Sequence, residues 1–167
     1  MMASMSTTKV ATLTLAGDFR FDAVAGSGTS IVLDDGPDAA GPSPAELVGI
    51  ALGGCTAMDV ISILRKTRQA VTHYEVRVTG LQREALPHAF VRFDIVHVLE
   101  GEQLDATAVR RAIDLSSRKY CSVGSTLSSG SVELHHGYLI RGADGSEEQA
   151  EVLVTGPYLS PEAAIAR

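Results

Sequence analysis

The chain contains two cysteines, Cys55 and Cys121, and thiols are the side chains in this sequence best suited to nucleophilic or redox chemistry. Their separation, 121 − 55 = 66 positions, is neither that of a C-x-x-C redox pair nor that of a zinc-ligand motif. A chain of 167 residues, 45% of them hydrophobic, has core enough to fold without disulfides, which argues against a secreted disulfide scaffold. The two thiols can act together only if the fold brings them close.

The two thiols have different predicted environments. Cys55 lies twelve positions after Ser43, the predicted N-cap of its helix, and so beyond the turn where a helix dipole stabilises a thiolate. Its neighbours one turn away combine apolar side chains with one acid, a setting that raises a thiol pKa: Ala51, Leu52, Met58 and Asp59. Cys55 is therefore either a buried, inert cysteine or a nucleophile activated from elsewhere in the fold. Cys121 follows Arg118 and Lys119, which favour the thiolate.

The segment that carries Cys55 has the signals of a long helix. Ser43 is a typical N-cap, Pro44 occupies the first helical position, and Glu46 falls where a capping box places its acid. The helix is predicted from Pro44 to about Arg68. Because its first half is apolar on every side, we expect it to be buried at the centre of the fold.

Small residues form a ridge along this helix. Gly49, Gly53 and Ala57 recur every four residues and so lie on one side. Each internal glycine costs up to about 1 kcal/mol of helix stability relative to alanine, so the ridge indicates a backbone packed close by. That backbone is either a strand of the same chain or the same helix in a second copy.

The remaining pattern predicts an α+β fold with antiparallel sheets. The predicted elements, in chain order, are a three-stranded meander before residue 34, the long helix, a hairpin (73–81 and 89–101), a helix capped by Asp105 (104–120) and a last strand (131–140). We expect a single domain over residues 1–140. Residues 141–167 are predicted to be a C-terminal extension in which the pattern defines no element.

Charge and composition exclude several function classes. The net charge of −6 and the isoelectric point near 5.3 provide no basic surplus for a phosphate backbone, so we expect no nucleic-acid partner. The apolar runs are interrupted by glycine or charged residues, and the N-terminus lacks a signal-peptide pattern, so we expect no membrane partner. These features predict a cytoplasmic protein.

Three of the five histidines are interpreted as structural. His135 and His136 are adjacent on a predicted strand and therefore face opposite sides, where they cannot easily share one metal ion. His97 lies on the apolar face of its strand and is expected to be a hydrogen-bonded core residue. We therefore expect no metal site.

The chain contains two longer motifs, each with its cysteine. The first joins "SPAEL" (43–47), Gly-Gly-Cys (53–55) and "DVISILRK" (59–66); the second is "DLSSRKYCSV" (114–123). Together these motifs resemble the osmotically inducible/organic hydroperoxide resistance (OsmC/Ohr) family, and within it the small OsmC-like proteins. The resemblance extends over residues 9–140. It implies an OsmC-like fold in which an intertwined homodimer sandwiches two central helices between sheets, with paired thiols in pockets at the dimer interface.

The resemblance also implies a reaction. Cys55 would attack the O–O bond of an organic hydroperoxide as a thiolate, and Cys121 would resolve the resulting sulfenic acid to a disulfide. A lipoylated protein or another external dithiol reductant would restore the thiols, so no metal or organic cofactor is expected.

Two further residues enter through this resemblance. Relatives supply an activating arginine from the N-terminal strands, and Arg20 is the single arginine before the central helix; alternatively, it is an ordinary exposed strand residue. Relatives also place a carboxylate directly after the helix-opening proline, where this chain has Ala45. Glu46 comes one residue later and is interpreted mainly as the capping-box acid, with an active-site role as the alternative. Ser122 replaces the proline that commonly follows the second cysteine.

The sequence thus supports two hypotheses from different classes. The first is a thiol-dependent hydroperoxide reductase that serves an oxidative stress response through Cys55 and Cys121. The second is a non-catalytic protein on the same dimeric scaffold, which binds a small lipophilic molecule beside cysteines that never ionise.

Overall fold

The structure, a computed structural model, describes residues 7–157. These residues divide between Val48 and Gly49 into two compact units. Each unit is built around its own sheet, so the fold is α+β as the sequence predicts. Residues 1–6 of the predicted domain and residues 158–167 of the predicted C-terminal extension lie outside the described residues.

The first unit contains a three-stranded antiparallel meander. Its strands, in sheet order, are β1 (Ala11–Gly17), β2 (Arg20–Ala25) and β3 (Ser30–Leu33). The alternation of apolar and polar residues predicts this meander, and the structure confirms it. A glycine with a φ of +85°, Gly28, makes the turn between β2 and β3, where other residues would be strained.

The long helix α1 spans Pro44–Lys66 and begins with the predicted capping box. The Ser43 N–H and hydroxyl both donate to Oε2 of Glu46, at 2.8 and 2.9 Å, and the Glu46 N–H donates back to the Ser43 hydroxyl at 3.3 Å. The basic pair Arg65 and Lys66 occupies the last turn, where positive charge suits the helix dipole. Both ends of α1 are therefore determined by local sequence.

The second unit contains a four-stranded sheet with helices in one of its connections. Its elements are β4 (Ala70–Gln82), β5 (Phe90–Glu102), α2 (Ala106–Leu115), a π-helical segment (Ser116–Tyr120), α3 (Ser122–Ser128), β6 (Glu133–Arg141) and β7 (Glu147–Thr155). The predicted hairpin is confirmed by β4 and β5, and the predicted cap by an N–H of Thr107 that donates to Asp105 at 2.8 Å.

One pairing in this sheet differs from the prediction. The sheet order is β4-β5-β6-β7, and β5 runs parallel to β6, with Phe93 opposite Leu134. Antiparallel pairing throughout is therefore wrong. After the end of β5 the chain passes through α2 and α3, and β6 then begins at the same end of the sheet as β5. This path is the helical crossover that a parallel pair of strands requires.

The predicted C-terminal extension contains a strand that the sequence pattern did not define. Residues Glu147–Thr155 form β7, which pairs antiparallel with β6, so ordered structure continues well past residue 140. Asp144 accepts hydrogen bonds from the N–H and hydroxyl of Ser146 and makes the connecting turn, in which Gly145 has a φ of +83°. The polar start of β7, "EEQ", hides its strand pattern in the sequence.

The core of the second unit lies between the sheet and the helices. It joins the second half of α1, the buried face of α2 and the strands through one cluster of buried side chains: Val60, Leu64, Leu99, Val109, Ala112, Ile113, Tyr138 and Ile140. The ridge of α1 faces β4, since a Cβ added at Gly53 would lie 2.9 Å from Cγ2 of Val78. A strand of the same chain therefore packs on the ridge.

The other side of α1 is open in the single chain. Ile50 and Met58 are 58% and 73% exposed, so the helix is not buried on every side there. By length and composition α1 could also cross a membrane, a property that core helices of folded domains share. The sequence argument from interrupted apolar runs therefore does not hold for α1, and the absence of a membrane partner stays a prediction.

Candidate active site

The fold brings the two cysteines together with one acid. Cys55 and Asp59 are one turn apart on α1 and so project from one side of the helix. Cys121 lies at the junction between the π-helical segment and α3. The two sulfurs and a carboxylate oxygen of Asp59 all lie within 4.8 Å of one another, and both cysteines are free thiols. Residues 66 positions apart in sequence thus form one cluster.

Cys121 is held in a fixed place as the N-cap of α3. Its backbone is extended, and its sulfur accepts a hydrogen bond of 3.2 Å from the N–H of Gly124. A Cβ at position 124 would lie 3.3 Å from this sulfur, so glycine permits the close approach. The side chain is almost completely buried, with the residue 3% exposed, whereas Cys55 is half-buried. Cys55 is therefore the thiol that a molecule from solvent meets first.

The electrostatic setting of Cys121 differs from the sequence expectation. Burial raises the pKa of its thiol to about 12, and the nearby sulfur of Cys55 and charge of Asp59 act in the same direction, against the Gly124 hydrogen bond. Arg118 and Lys119 do not lower this pKa, because Arg118 pairs with Asp114 four residues earlier and Lys119 lies over the Tyr120 ring. Cys121 is therefore a neutral thiol at pH 7.

Asp59 is oriented by a chain of buried hydroxyl groups. The Ser116 hydroxyl donates to Oδ2 of Asp59 at 3.1 Å, and the Thr56 and Ser116 hydroxyl oxygens are 3.1 Å apart. Because the single proton of Ser116 is directed at the carboxylate, Thr56 is the donor in the second bond. Sequence reasoning treated Asp59 only as a neighbour that raises a thiol pKa. The signal for more was the four-residue spacing from Cys55.

A buried polar pair lies behind this cluster. The hydroxyl of Tyr74 is 2.7 Å from Nδ1 of His97, which confirms the expected hydrogen-bonded core histidine. Burial lowers the pKa of His97 to about 3 and, together with the charge of Asp59, raises the pKa of Tyr74. His136 is buried while His135 bonds to two acids on the opposite side of the strand, as their adjacency predicts. The described hydrogen bonds and ion pairs of Tyr74, His97 and His135 are all made to other side chains of the second unit.

The other two predicted site residues have partners within the first unit. Nε of Arg20 donates to Oδ2 of Asp34 at 3.2 Å, so Arg20 is an ion-paired residue at the start of β2. Hydrogen bonds from the N–H groups of Ala40 and Gly36, and then the Arg20 side chain, hold the pKa of the Asp34 carboxyl below its usual value. The Glu46 carboxylate closes the capping box with Ser43, which holds its pKa low. Any catalytic role of Arg20 or Glu46 stays a prediction.

The sequence is similar to a known protein family and to individual proteins. The sequence matches the family described as OsmC-like protein over residues 36–136. Protein YhfA of Escherichia coli (strain K12) is 43% identical over 112 residues, which are 67% of this chain and 83% of YhfA.

Solved structures share the fold. An OsmC-like protein from Mycoplasma pneumoniae has a TM-score of 0.69 at 18% identity, with 83% of this chain and 99% of that chain covered. An organic hydroperoxide resistance protein, OsmC, from Legionella pneumophila has a TM-score of 0.57 at 10% identity, with 82% and 98% covered. At these identities the likeness concerns the fold alone.

Proposed function

Because this chain belongs to the OsmC-like family, we propose that it reduces organic hydroperoxides with the thiols of Cys55 and Cys121. The observation that carries this proposal is the cluster itself: two free thiols from distant parts of the sequence lie within 4.8 Å. The hydroperoxide resistance named for the structural neighbour from Legionella pneumophila agrees with it.

The different burial of the thiols supports an order of events. Half-buried Cys55 attacks one oxygen of the hydroperoxide as a thiolate; the O–O bond breaks, the alcohol leaves with a proton, and Cys55 becomes a sulfenic acid. Cys121 then attacks this sulfur, its proton leaves with the hydroxide as water, and a disulfide forms. In total, two thiols and one hydroperoxide give one disulfide, one alcohol and one water. An external dithiol, such as a lipoylated protein, would reduce the disulfide for the next cycle.

The geometry allows the second step with little movement. A disulfide requires its sulfurs to be about 2.05 Å apart. Sulfurs that already lie within 4.8 Å must therefore approach by less than about 3 Å, which side-chain rotation of Cys55 can supply in large part. Cys121 can stay at its N-cap position while Cys55 moves toward it.

Arg20 and Glu46 are included in the proposal in limited roles. Arg20 is the candidate activator of the Cys55 thiolate, and its pairing with Asp34 determines its position within the first unit. Glu46 is kept as a second candidate for an active-site acid, although its observed bonds cap the helix.

We further propose that the protein is a cytoplasmic homodimer. The exposed Ile50 and Met58 of α1 are large apolar side chains that a second copy would cover, and the family resemblance implies such a dimer. Light scattering coupled to size-exclusion chromatography would measure the mass; a monomer at micromolar concentration would refute the dimer.

A second candidate function is the non-catalytic binding of a small lipophilic molecule. The raised pKa of the Cys121 thiol favours it, because a neutral buried thiol can be a structural residue. In this case neither cysteine would react with hydroperoxide.

One experiment separates the two candidates. Reduced protein is treated with one equivalent of cumene hydroperoxide, and its intact mass and disulfide-linked peptides are measured. We expect the loss of two hydrogens and a Cys55–Cys121 linkage. The Cys121→Ser variant should stop at the Cys55 sulfenic acid, and Cys55→Ser should not react. An unchanged wild-type mass would refute the peroxidase and favour the binding protein.

A further inference from the structure

We propose that Cys55, Cys121 and Asp59 form a binding site for a thiophilic divalent cation, Zn²⁺. This use of the cluster is separate from peroxide reduction and does not depend on it. Sequence spacing predicts no such site, because the donors come from two helices that only the fold brings together.

The positions of the three donor atoms suit this ion. Zinc binds thiolate sulfur at about 2.3 Å and carboxylate oxygen at about 2.0–2.2 Å in a tetrahedral arrangement, which places two sulfur ligands about 3.8 Å apart. The sulfurs of Cys55 and Cys121 and an oxygen of Asp59 lie within 4.8 Å of one another. Small side-chain rotations, of about 1 Å at the donor atoms, would complete the geometry.

The cluster has the supporting hydrogen bonds that metal sites require. Ser116 donates to Oδ2 of Asp59, which leaves Oδ1 as a metal ligand, and the Thr56 hydroxyl holds Ser116 in turn. Both hydroxyl residues are completely buried, so this orientation is fixed by packing. Bonds of this kind orient ligands and commonly change metal affinity by about 10–100-fold when removed.

The second cysteine is supported in the same way. The N–H of Gly124 donates to the Cys121 sulfur, a hydrogen bond that also stabilises the charge of a thiolate. The donor atoms therefore come from α1 and from the cap of α3, with their orientation set by backbone and buried side chains.

A bound cation would neutralise the negative charge that the cluster carries when both thiols are ionised. Two thiolates and one carboxylate carry three negative charges, and over residues 49–157 no basic side chain forms an ion pair with Asp59. Two sulfur donors select a soft or borderline metal such as Zn²⁺ over Mg²⁺ or Ca²⁺. With three protein ligands, the fourth position of a tetrahedral ion would remain for water.

Cobalt is the probe that tests the site without relying on activity. The reduced full-length protein, under anaerobic conditions at one fixed pH, is titrated with Co²⁺ and then with Zn²⁺. We expect sulfur-to-cobalt charge-transfer absorption and the visible bands of tetrahedral cobalt, saturating at one ion per chain and lost when Zn²⁺ displaces the cobalt. Absence of charge-transfer absorption in the wild type would overturn the proposal.

Variants assign the ligands. Asp59→Asn retains both thiols and should bind Zn²⁺ at least about 10-fold more weakly in competition with a chromophoric chelator, and Ser116→Ala should weaken binding by about 10–100-fold. Asp38→Asn, an exposed aspartate in the first unit, is the matched control and should bind as the wild type does. If Asp59→Asn and Ser116→Ala, folded by circular dichroism, both retain wild-type affinity, the three-ligand site is refuted. Disulfide formation by metal-free protein, measured separately, reports on the peroxidase alone.

Discussion

The buried thiol of Cys121 should resist alkylation by iodoacetamide far more than an ordinary cysteine. Burial, followed by the neighbouring sulfur, raises its pKa to about 12 from an ordinary value of 9.0. The thiolate is the reacting form, and each unit of pKa changes its population tenfold below the pKa. A pKa of about 12 instead of 9.0 therefore leaves about 1000-fold less thiolate at pH 8. The residue is also only 3% exposed, which further limits the access of iodoacetamide to its sulfur.

The assay is a time course of alkylation followed by peptide mass mapping. Reduced protein is sampled at several pH values, and the same protein in concentrated urea provides the unperturbed rate for Cys121. Half-buried Cys55 shows in the same sample that the reagent reaches the cluster. We expect the folded rate at Cys121 to be lower by about 1000-fold or more, and to rise tenfold per pH unit well beyond pH 9. A folded rate within tenfold of the unfolded rate would refute the reasoning, and with it the assignment of Cys121 as the thiol that reacts second.

Three further predictions concern stability. Gly53→Ala should be less stable than Gly49→Ala by about 1–3 kcal/mol in urea unfolding. Both substitutions gain the same helix propensity, but the new methyl group would lie 2.9 Å from the Val78 side chain of β4 at position 53 and 3.8 Å from it at position 49. Equal urea midpoints for the two variants would contradict this. Ser43→Ala should cost about 1 kcal/mol through loss of the cap. Burial lowers the pKa of His97 to about 3 and that of His136 to about 4, so as the pH falls below 6.5 these histidines take up protons in the unfolded chain first. The free energy of unfolding should therefore decrease from pH 7 to pH 4. A free energy of unfolding in urea that does not change over this pH range would contradict the prediction.

Local signals in the sequence were sufficient for most individual elements. The capping box predicts the start of α1 because its hydrogen bonds join residues only three positions apart. The alternation in the first three strands and in β4 and β5 has the same local origin. Asp105 likewise caps α2 as predicted, through a bond to a residue two positions away.

Features that depend on contacts between segments far apart in the chain could not be predicted from local sequence. The parallel pair of β5 and β6 follows from a helical crossover, and a strand pattern does not specify its neighbour. β7 begins with charged residues on an edge of the sheet, so its sequence resembles a linker. The meeting of Cys55 with Cys121 was suggested by family resemblance, but the place of Asp59 between Ser116 and both sulfurs required the fold.

The path of the chain between the two cysteines has a thermodynamic consequence. β4, β5 and α2 all lie between Cys55 and Cys121, so a disulfide between these two residues, 66 positions apart, would close a covalent loop that contains most of the second unit. In the chain-entropy model, a loop of this length lowers the conformational entropy of the unfolded chain and so stabilises the folded protein by about 4 kcal/mol. Oxidation would therefore make unfolding harder, and the reductant that resets the thiols would also return the protein to its less stable form. Turnover and resistance to unfolding would be linked through the same bond.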